Sequence, residues 1–265
     1  METRATRVAL SVWVVIVIAF LLFPIVLIGV YAFNASNVES WPITHFTTHW
    51  FGDAWNNQDV RSALVLSVKA GLLATAIALV LGTAASFAVH RFRFFGREAV
   101  SFVVVLPLAL PGIITGMALN SFFVTGGFQF SLWTIVIGHA TFCVVVVYNN
   151  VLARLRRTPG SLKEASYDLG AGPWTTWWRV TLPTISTALI SGALLAFALS
   201  FDEVIVTTFT AGAQNTLPLW IFGNIRLGQT LPETNVVVLL VLAATILPVV
   251  LAQRLTRESG ILRTE

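Results

Sequence analysis

Charged side chains are scarce in this chain of 265 residues: 11% are Asp, Glu, Lys or Arg, while 56% are hydrophobic. A soluble globular domain carries about a quarter charged residues. The mean hydropathy of the chain is also high, at +0.82. The composition therefore excludes an ordinary soluble protein and predicts a membrane protein, with room for about six spans of roughly 20 residues each.

Cysteine and catalytic motifs are also nearly absent. The single cysteine, Cys143, lies in an apolar run, so a disulfide within the chain is excluded and a metal or redox role is not expected. The phosphate-binding sequence G-x-x-x-x-G-K-S/T is missing, because Lys69 and Lys163 follow valine and leucine rather than glycine. His45 and His49 have no third metal ligand beside them. We therefore predict no enzyme, no cofactor and no metal site, and expect energy to come from another protein.

Six apolar segments are predicted to form membrane helices. They cover residues 8–33, 62–89, 99–124, 132–152, 184–210 and 235–252. The first segment is too long for the core of a signal peptide and lacks a convincing cleavage site, so it is predicted to be a span. The sequence thus predicts an all-α, polytopic membrane protein in which residues 1–265 form a single transmembrane domain.

Three spans carry patterns that concern packing. In the second span, small residues recur at every fourth position and predict a close helix contact. These residues are Ala70, Ala74, Ala78, Gly82 and Ser86. In the third span, Pro107 and Pro111 are predicted to bend the helix, which then either packs as a kinked helix or lines a pathway. In the fourth span, His139 is predicted to be a buried, hydrogen-bonded structural residue.

The positive charges predict the orientation of the chain. Thirteen of the 16 Lys and Arg residues fall in the N-terminal segment, the loop around Arg93, residues 154–183 and the C-terminal tail. By the positive-inside rule these four segments, and hence both termini, are cytoplasmic. The net charge of +4 is explained by this topology and does not indicate binding to nucleic acid.

Residues 154–183 form the longest polar interruption in the C-terminal two-thirds of the chain. Pro159 is expected to end the preceding helix. Ser161 stands three residues before Glu164, which is the capping-box spacing that begins a new helix. Gly170 suits the left-handed conformation that ends a helix. A first short helix is therefore predicted between Ser161 and Gly170.

A second short helix is predicted between Pro173 and Pro183. Its tryptophans, Trp174, Trp177 and Trp178, would share one side. Two joined helices of this kind could present a shaped surface to a partner. They could equally form a hairpin on the membrane surface with the tryptophans at the lipid headgroups, and the pattern by itself leaves both alternatives open.

The spacing in this loop resembles the EAA loop of ABC-importer permeases, which reads EAA, three residues, G, nine residues and I-x-L-P. The matching positions are Glu164, Ala165, Ser166, Gly170, Val180, Leu182 and Pro183. Ser166 and Val180 depart from the pattern conservatively. The resemblance implies a cytoplasmic coupling helix between spans four and five that docks in a groove of an ATP-hydrolysing subunit. It further implies that Glu164 makes polar contacts there and that Gly170 provides the turn.

The fifth span contains adjacent carboxylates, Asp202 and Glu203, directly after Phe201. Carboxylates within a span are costly and usually face a cavity or the bundle interior. Glu203 shares a helical face with Ser200 and Thr207, while Asp202 is turned away by roughly 100°, so Glu203 is the better candidate to face a pathway. Two alternatives remain: a hydrogen-bond network between subunits, or an acidic stretch beside aromatic residues that attracts a cationic solute.

Three segments around these positions look like the second permease subunit of spermidine/putrescine ABC importers. They are residues 106–116, 196–204 and 209–212. The resemblance implies a polyamine permease in a bacterial plasma membrane, surrounded by membrane lipid. It implies as partners a dimer of ATP-binding subunits, a second, different permease subunit and an extracytoplasmic solute-binding protein. The candidate pathway residues are then Asp202, Glu203, Phe201, Pro107 and Pro111.

Two other functions stay open at this point. The chain could be an ABC permease for another solute, such as a ferric complex, an opine or another amine. It could also be a stand-alone secondary transporter that uses Asp202 and Glu203 as ion or proton sites. Internal inverted repeats would favour the secondary transporter, and none is evident in the sequence.

Overall fold

The computed structural model describes residues 4–92, 95–228 and 230–260, apart from the side chains at positions 5 and 247–260. In these ranges the chain is helical, and the only pairing of extended segments is an isolated bridge between Asn34 and Phe46. The all-α prediction is confirmed. The helices are α1 (Arg4–Tyr31), α2 (His49–Asn56), α3 (Gln58–Arg91), α4 (Arg97–Ala109), α5 (Gly112–Thr125), α6 (Leu132–Arg157), α7 (Ser161–Asp168), α8 (Pro173–Thr176), α9 (Leu182–Phe201), α10 (Ile205–Thr210), α11 (Leu217–Leu227) and α12 (Leu231–Gly260).

The multi-pass membrane character of the chain is confirmed by its long apolar helices. Four described helical stretches are long and apolar enough to cross a membrane, at Thr6–Tyr31, Gln58–Arg91, Leu132–Arg157 and Pro173–Phe201. The pair α4 and α5 makes a fifth candidate, if the bent pair counts as one span. In α12 a shorter apolar stretch covers Leu231–Ile246. The total of six spans stays a prediction.

The chain divides into two compact units, Met1–Arg61 with Ile221–Glu265, and Ser62–Trp220. In the first unit, α12 packs against both α1 and α2. Asn57 donates a hydrogen bond of 2.7 Å from Nδ2 to Oε1 of Glu233, a carboxylate that is 6% exposed. The large apolar side chains of α1, by contrast, are widely exposed, as shown by Phe20 at 78%. The polar contacts therefore hold this unit together at α2 and the start of α12.

The second unit is built on a close contact between α3 and α6. Ala70, Ala74 and Ala78 are each at most 1% exposed, and the last two share a core cluster with residues of α6 and α9. At Gly82 an added Cβ would lie 2.9 Å from the backbone oxygen of Val144, so any larger side chain would push the helices apart. The small-residue stripe predicted from the sequence is therefore the seam between these two helices, as expected for packing in lipid.

The third predicted span is sharply bent. Helices α4 and α5 meet at 105° across a break at residues 110–111. Pro107 lies inside α4, one turn before the bend, and Pro111 is the N-cap residue of α5. Because Pro111 has no N–H and fixes its own φ, it ends one helix and starts the next. The predicted bend is confirmed, and its size makes the segment either a broken span or a re-entrant one.

Candidate functional site

The loop between α6 and α9 contains the first short helix as predicted, but that helix begins differently. Gly160 occupies the N-cap position of α7, with φ −62° and ψ −29°, and no side chain caps the helix. The amides of Lys163 and Glu164 both donate to the carbonyl oxygen of Gly160. The predicted capping box is therefore wrong, because the helical turn starts one residue early and makes Ser161 the first helical residue rather than the cap.

The end of α7 follows the prediction. Gly170 has a φ of +78°, the left-handed conformation that glycine adopts without steric cost. Its amide donates to the carbonyl of Tyr167 at 2.8 Å, and the amide of Ala171 donates to the carbonyl of Ser166 at 3.1 Å. This pair of bonds is a Schellman motif, which satisfies carbonyls at the helix end. Gly170 thus sets the angle between α7 and α8.

The second short helix differs from the prediction at its far end. Pro173 begins α8 as expected. A π-helical turn at Trp177–Thr181 then joins α8 directly to α9, so Pro183 lies in the first turn of the long helix and does not end a unit. The loop therefore runs without a break into the fifth span.

The loop presents an exposed apolar surface. Its members are Leu162, Tyr167, Leu169, Trp174 and Trp178, with exposed fractions from 39% for Tyr167 to 88% for Leu169. The predicted common side for the three tryptophans is wrong. Trp174 and Trp178 pack together with ring centroids 5.7 Å apart, whereas Trp177 turns inward to Phe87 of α3 at 5.1 Å. Trp177 anchors the loop on the bundle, and the other two remain on the exposed surface.

Two side-chain contacts hold this loop in place, and one of them involves Ser166, a position that matches the EAA pattern. Ser166 is partly buried on α7, and its Oγ is 2.9 Å from Oγ1 of the buried Thr176. Glu164 and Ala165, in contrast, are exposed. Arg154 donates from Nε to the carbonyl of Thr184 at 2.8 Å, which ties the end of α6 to the start of α9. The polar face of α7 is therefore held in a defined orientation while its glutamate points outward.

The fifth span, predicted to be continuous over 184–210, is interrupted at residues 202–204. Helix α9 ends at Phe201, with Asp202 as its C-cap residue, and α10 begins at Ile205. Glu203 is half-buried, and its Oε1 accepts a hydrogen bond of 2.9 Å from the amide of Val206. Local pattern alone did not predict this break, because Asp and Glu can both continue a helix.

The two carboxylates have different surroundings in the structure, while the expectation that Glu203 faces a pathway stays a prediction. Asp202 is exposed, whereas the carboxylate of Glu203 is engaged in capping α10. The hydroxyl residues at the positions predicted to share a face with Glu203 are buried: Ser200 is 3% exposed, and Thr207 and Thr210 are fully buried. Of the two carboxylates at this break, that of Asp202 is therefore the more exposed.

His139 joins the two sides of the break. Its Nδ1 lies 2.7 Å from Oγ of Ser200 in α9, and its Nε2 lies 2.8 Å from Oγ1 of Thr207 in α10. The ring is 1% exposed. The prediction of a buried, hydrogen-bonded histidine is confirmed, while its two partners were not foreseen. An intramembrane histidine together with hydroxyls seven residues apart on another span was the signal available.

The structure brings the two breaks close to each other. An added Cβ at Gly112, the first residue of α5, would lie 3.5 Å from Cγ2 of Ile205, the first residue of α10. Further along, Asn120 donates from Nδ2 to the carbonyl of Phe209 at 2.7 Å. Pro111 therefore lies at the same level as residues 202–204, and Pro107 lies one turn away along α4. The contact through Asn120 was not predicted from the sequence.

Comparisons with known proteins agree with this architecture. Residues 78–257 match the family described as "Binding-protein-dependent transport system inner membrane component". The putrescine transport system permease protein PotI of Escherichia coli K12 is 35% identical over 247 residues, which cover 88% of this chain and 87% of that protein. The spermidine/putrescine permease protein PotC of Haemophilus influenzae is 31% identical, covering 92% and 95%.

A solved structure has the same fold. A bacterial ABC transporter involved in the import of the acidic polysaccharide alginate contains a chain that superposes with a TM-score of 0.71. The alignment covers 97% of this chain and 98% of that one, at 15% sequence identity. At this identity the likeness concerns the fold and not the solute, since one fold can carry many specificities.

Proposed function

Because the chain belongs to the family of inner membrane components of binding-protein-dependent transport systems, the permease subunits of ABC importers, we propose that it forms half of a translocation pathway for a polyamine. Sequence identity of 30–35% to polyamine permeases over about nine-tenths of the chain is the observation that carries this proposal. Like the other members of its family, the chain is a transport subunit and not an enzyme. A secondary transporter is thereby set aside.

The family implies three kinds of partner: an ATPase, a solute-binding protein and a permease. We propose in finer detail that the ATPase is a dimer, that the second permease is a different chain, and that the binding protein is extracytoplasmic. The widely exposed apolar surface of α1 supports a large area of contact with lipid or another subunit. We also propose that both termini and the loop at 154–183 are cytoplasmic, on the basis of the positive charges.

Helix α7 and the surface around it are proposed to contact the ATPase. Glu164 is exposed at the start of α7, where a negative charge is favourable and remains available to a partner. Leu169 and Trp174 offer apolar area next to it. Exposed apolar surface of this kind on a polar loop is typical of a protein interface. Movement of the ATPase would then reach α9 through the π-helical turn, because no flexible linker separates them.

The break at residues 202–204 is proposed to be the point where the solute meets anionic groups. Helix α9 has 20 residues, which corresponds to about 30 Å at 1.5 Å per residue, so Asp202 would lie in the outer half of the membrane. Its exposed carboxylate would lower the desolvation cost of a polycation. Phe201, Pro107 and Pro111 would line the same region, where the irregular backbone of both breaks can border a wet cavity.

The proposal is tested by transport measurements on the chain reconstituted in proteoliposomes with its partner subunits. ATP-dependent accumulation of labelled putrescine, inhibited by unlabelled spermidine, is expected. Liposomes that hold the chain without the ATPase should accumulate none. If the complete complex hydrolyses ATP in response to an unrelated solute and ignores both polyamines, the solute assignment is wrong, while membership of the permease family is unaffected.

A further inference from the structure

The buried ring of His139 contacts both sides of the break in the fifth span. Its position results from a close approach of α6 and α10. At Gly138 an added Cβ would lie 3.2 Å from Cγ1 of Val206 and 3.3 Å from Cγ2 of Thr210, so the neighbouring glycine lets α10 lie against α6. The histidine is therefore placed at the level of the break by packing, before any hydrogen bond is considered.

The direction of each hydrogen bond follows from counting donors. Thr207 donates its hydroxyl proton to the carbonyl oxygen of Glu203, at 2.6 Å. Its Oγ1 must then accept from His139, so Nε2 carries the proton. In the neutral ring Nδ1 is an acceptor, and the hydroxyl of Ser200 donates to it. One directed chain thus runs from Ser200 through His139 and Thr207 to the backbone of Glu203.

This series of hydrogen bonds holds the backbone of the residues that carry the carboxylates. The carbonyl of Glu203 is held by Thr207, and the side chain of Glu203 caps the amide of Val206, so both ends of this residue are fixed. Asp202 lies between Ser200 and Glu203, and its amide is bound to the carbonyl of Ala198 at 3.1 Å. Its backbone is therefore held on both sides, which fixes the direction in which the Cα–Cβ bond of Asp202 leaves the break.

We propose that His139 is a positioning residue, which holds the fifth span open at residues 202–204 and so aims the carboxylate of Asp202 for recognition of the cationic solute. The proposal rests on the proposed function of that carboxylate. Because one ring is hydrogen-bonded to both α9 and α10, it holds the two helices in a fixed position relative to each other. Loosening either bond would leave a buried hydroxyl or ring nitrogen without a partner. His139 itself does not touch the solute.

The transport test compares two threonines that differ in their link to the histidine. Thr207 and Thr208 each donate to a backbone carbonyl four residues earlier, at 2.6 and 2.8 Å, but only Thr207 also contacts His139, and Thr208 is exposed. Thr207→Val and His139→Phe should each raise KM for labelled putrescine about tenfold, with a smaller change in kcat. Thr208→Val should leave both values near those of the unmodified protein.

Two further variants test whether the effect of His139 comes from its hydrogen bonds or from its packing alone. The double variant His139→Phe with Thr207→Val should raise KM no more than the more affected single variant does, because both substitutions interrupt the same series of hydrogen bonds. His139→Gln retains a donor nitrogen and an acceptor oxygen on one amide group and should recover part of the affinity that His139→Phe loses. Additive effects, or equal effects of Thr207→Val and Thr208→Val per assembled complex, would overturn the proposal.

Positioning can also be measured without transport. In a Cys143→Ala background, Asp202→Cys provides a thiol at the break, and its rate of labelling by a cationic methanethiosulfonate reagent reports its accessibility. Adding His139→Phe should change this rate several-fold, and adding Thr208→Val should not. An unchanged rate would overturn the positioning role. A changed rate, combined with normal transport by Asp202→Asn, would support positioning and reject the carboxylate as a solute contact.

Discussion

The loop at residues 154–183 and the break at residues 202–204 both lie between long apolar helices, yet large side chains of the loop are exposed while Ser200 and Thr207 beside the break are buried. On the loop, Leu169 is 88% exposed and Trp174 is 73% exposed. At the break, Thr207 is completely buried, and its hydroxyl is hydrogen-bonded to both His139 and the carbonyl of Glu203. The loop leaves apolar area for a partner to cover. The buried polar groups at the break are hydrogen-bonded within the chain, and their geometry needs no partner protein.

This contrast separates two ways of damaging the protein. A change on the surface of the loop should weaken partner contact and leave folding intact, because the side chains there contact little of their own chain. A change at the break should disturb either stability or solute recognition, because its groups are satisfied only by one another. The exception on the loop is Gly170, whose backbone conformation defines the shape of the surface.

The largest effect is expected for Gly170→Val. A β-branched residue at a φ of +78° is strained by about 1–2 kcal/mol, and relief of the strain would break the Schellman motif and change the angle between α7 and α8. ATP-dependent uptake per complex should fall more than about tenfold. Gly172→Ala is the control, because Gly172 has a φ of −71° and open space around it. Equal uptake by the two variants would contradict a shape-setting role for Gly170.

The next effect concerns the two carboxylates at the break. Asp202→Asn removes an exposed charge and should lower putrescine uptake per complex by about tenfold, which corresponds to about 1.4 kcal/mol. Glu203→Gln should have a smaller effect, because the amide oxygen can still accept from Val206. Asp53→Asn changes an exposed carboxylate on α2 and serves as the control. A larger effect from Glu203→Gln would mean that the capping carboxylate carries the recognition.

A third prediction concerns stability at the break. Asn120→Leu removes the hydrogen bond to the carbonyl of Phe209 and should lower the free energy of unfolding by about 1–3 kcal/mol. Asn150 donates only to Val146 within its own helix, so Asn150→Leu should cost less. Thermal unfolding of the purified chain in detergent compares the two. An equal loss would show that the bond between α5 and α10 contributes no more than a local one.

The smallest effect is expected at Leu169. Leu169→Ser should leave the free energy of unfolding unchanged, within about 0.5 kcal/mol, because the side chain is 88% exposed. Retention of the ATPase subunit during purification should nevertheless fall several-fold. Ser161→Ala, at the start of the same helix, changes no cap and is the matched control. A loss of stability without a loss of the ATPase would place Leu169 in the fold instead of at an interface.

Local chemistry determined the parts of the molecule that depend on neighbouring residues in the sequence. The apolar runs predicted helices, Gly170 predicted the end of α7, and the prolines predicted the bend between α4 and α5. The capping box failed because Gly160 adopted a helical conformation and moved the start of α7 by one residue. The predicted end at Pro183 failed because a π-helical turn absorbed the change of direction. A shift of one or two residues at a helix end lies below the resolution of spacing arguments.

Only the tertiary structure decided the break in the fifth span. The run of residues 184–210 is apolar enough to be one helix, and nothing local forbids it. The interruption depends on partners far away in the chain: Ser200 and Thr207 both bind His139, which precedes them by 61 and 68 residues. The sequence by itself determined that these polar groups must be satisfied inside the membrane. Packing of α6 against α9 and α10 determined which groups satisfy them. Hydrogen bonds require that donor and acceptor lie within about 3 Å, and local sequence spacing does not specify the distance between residues on different helices.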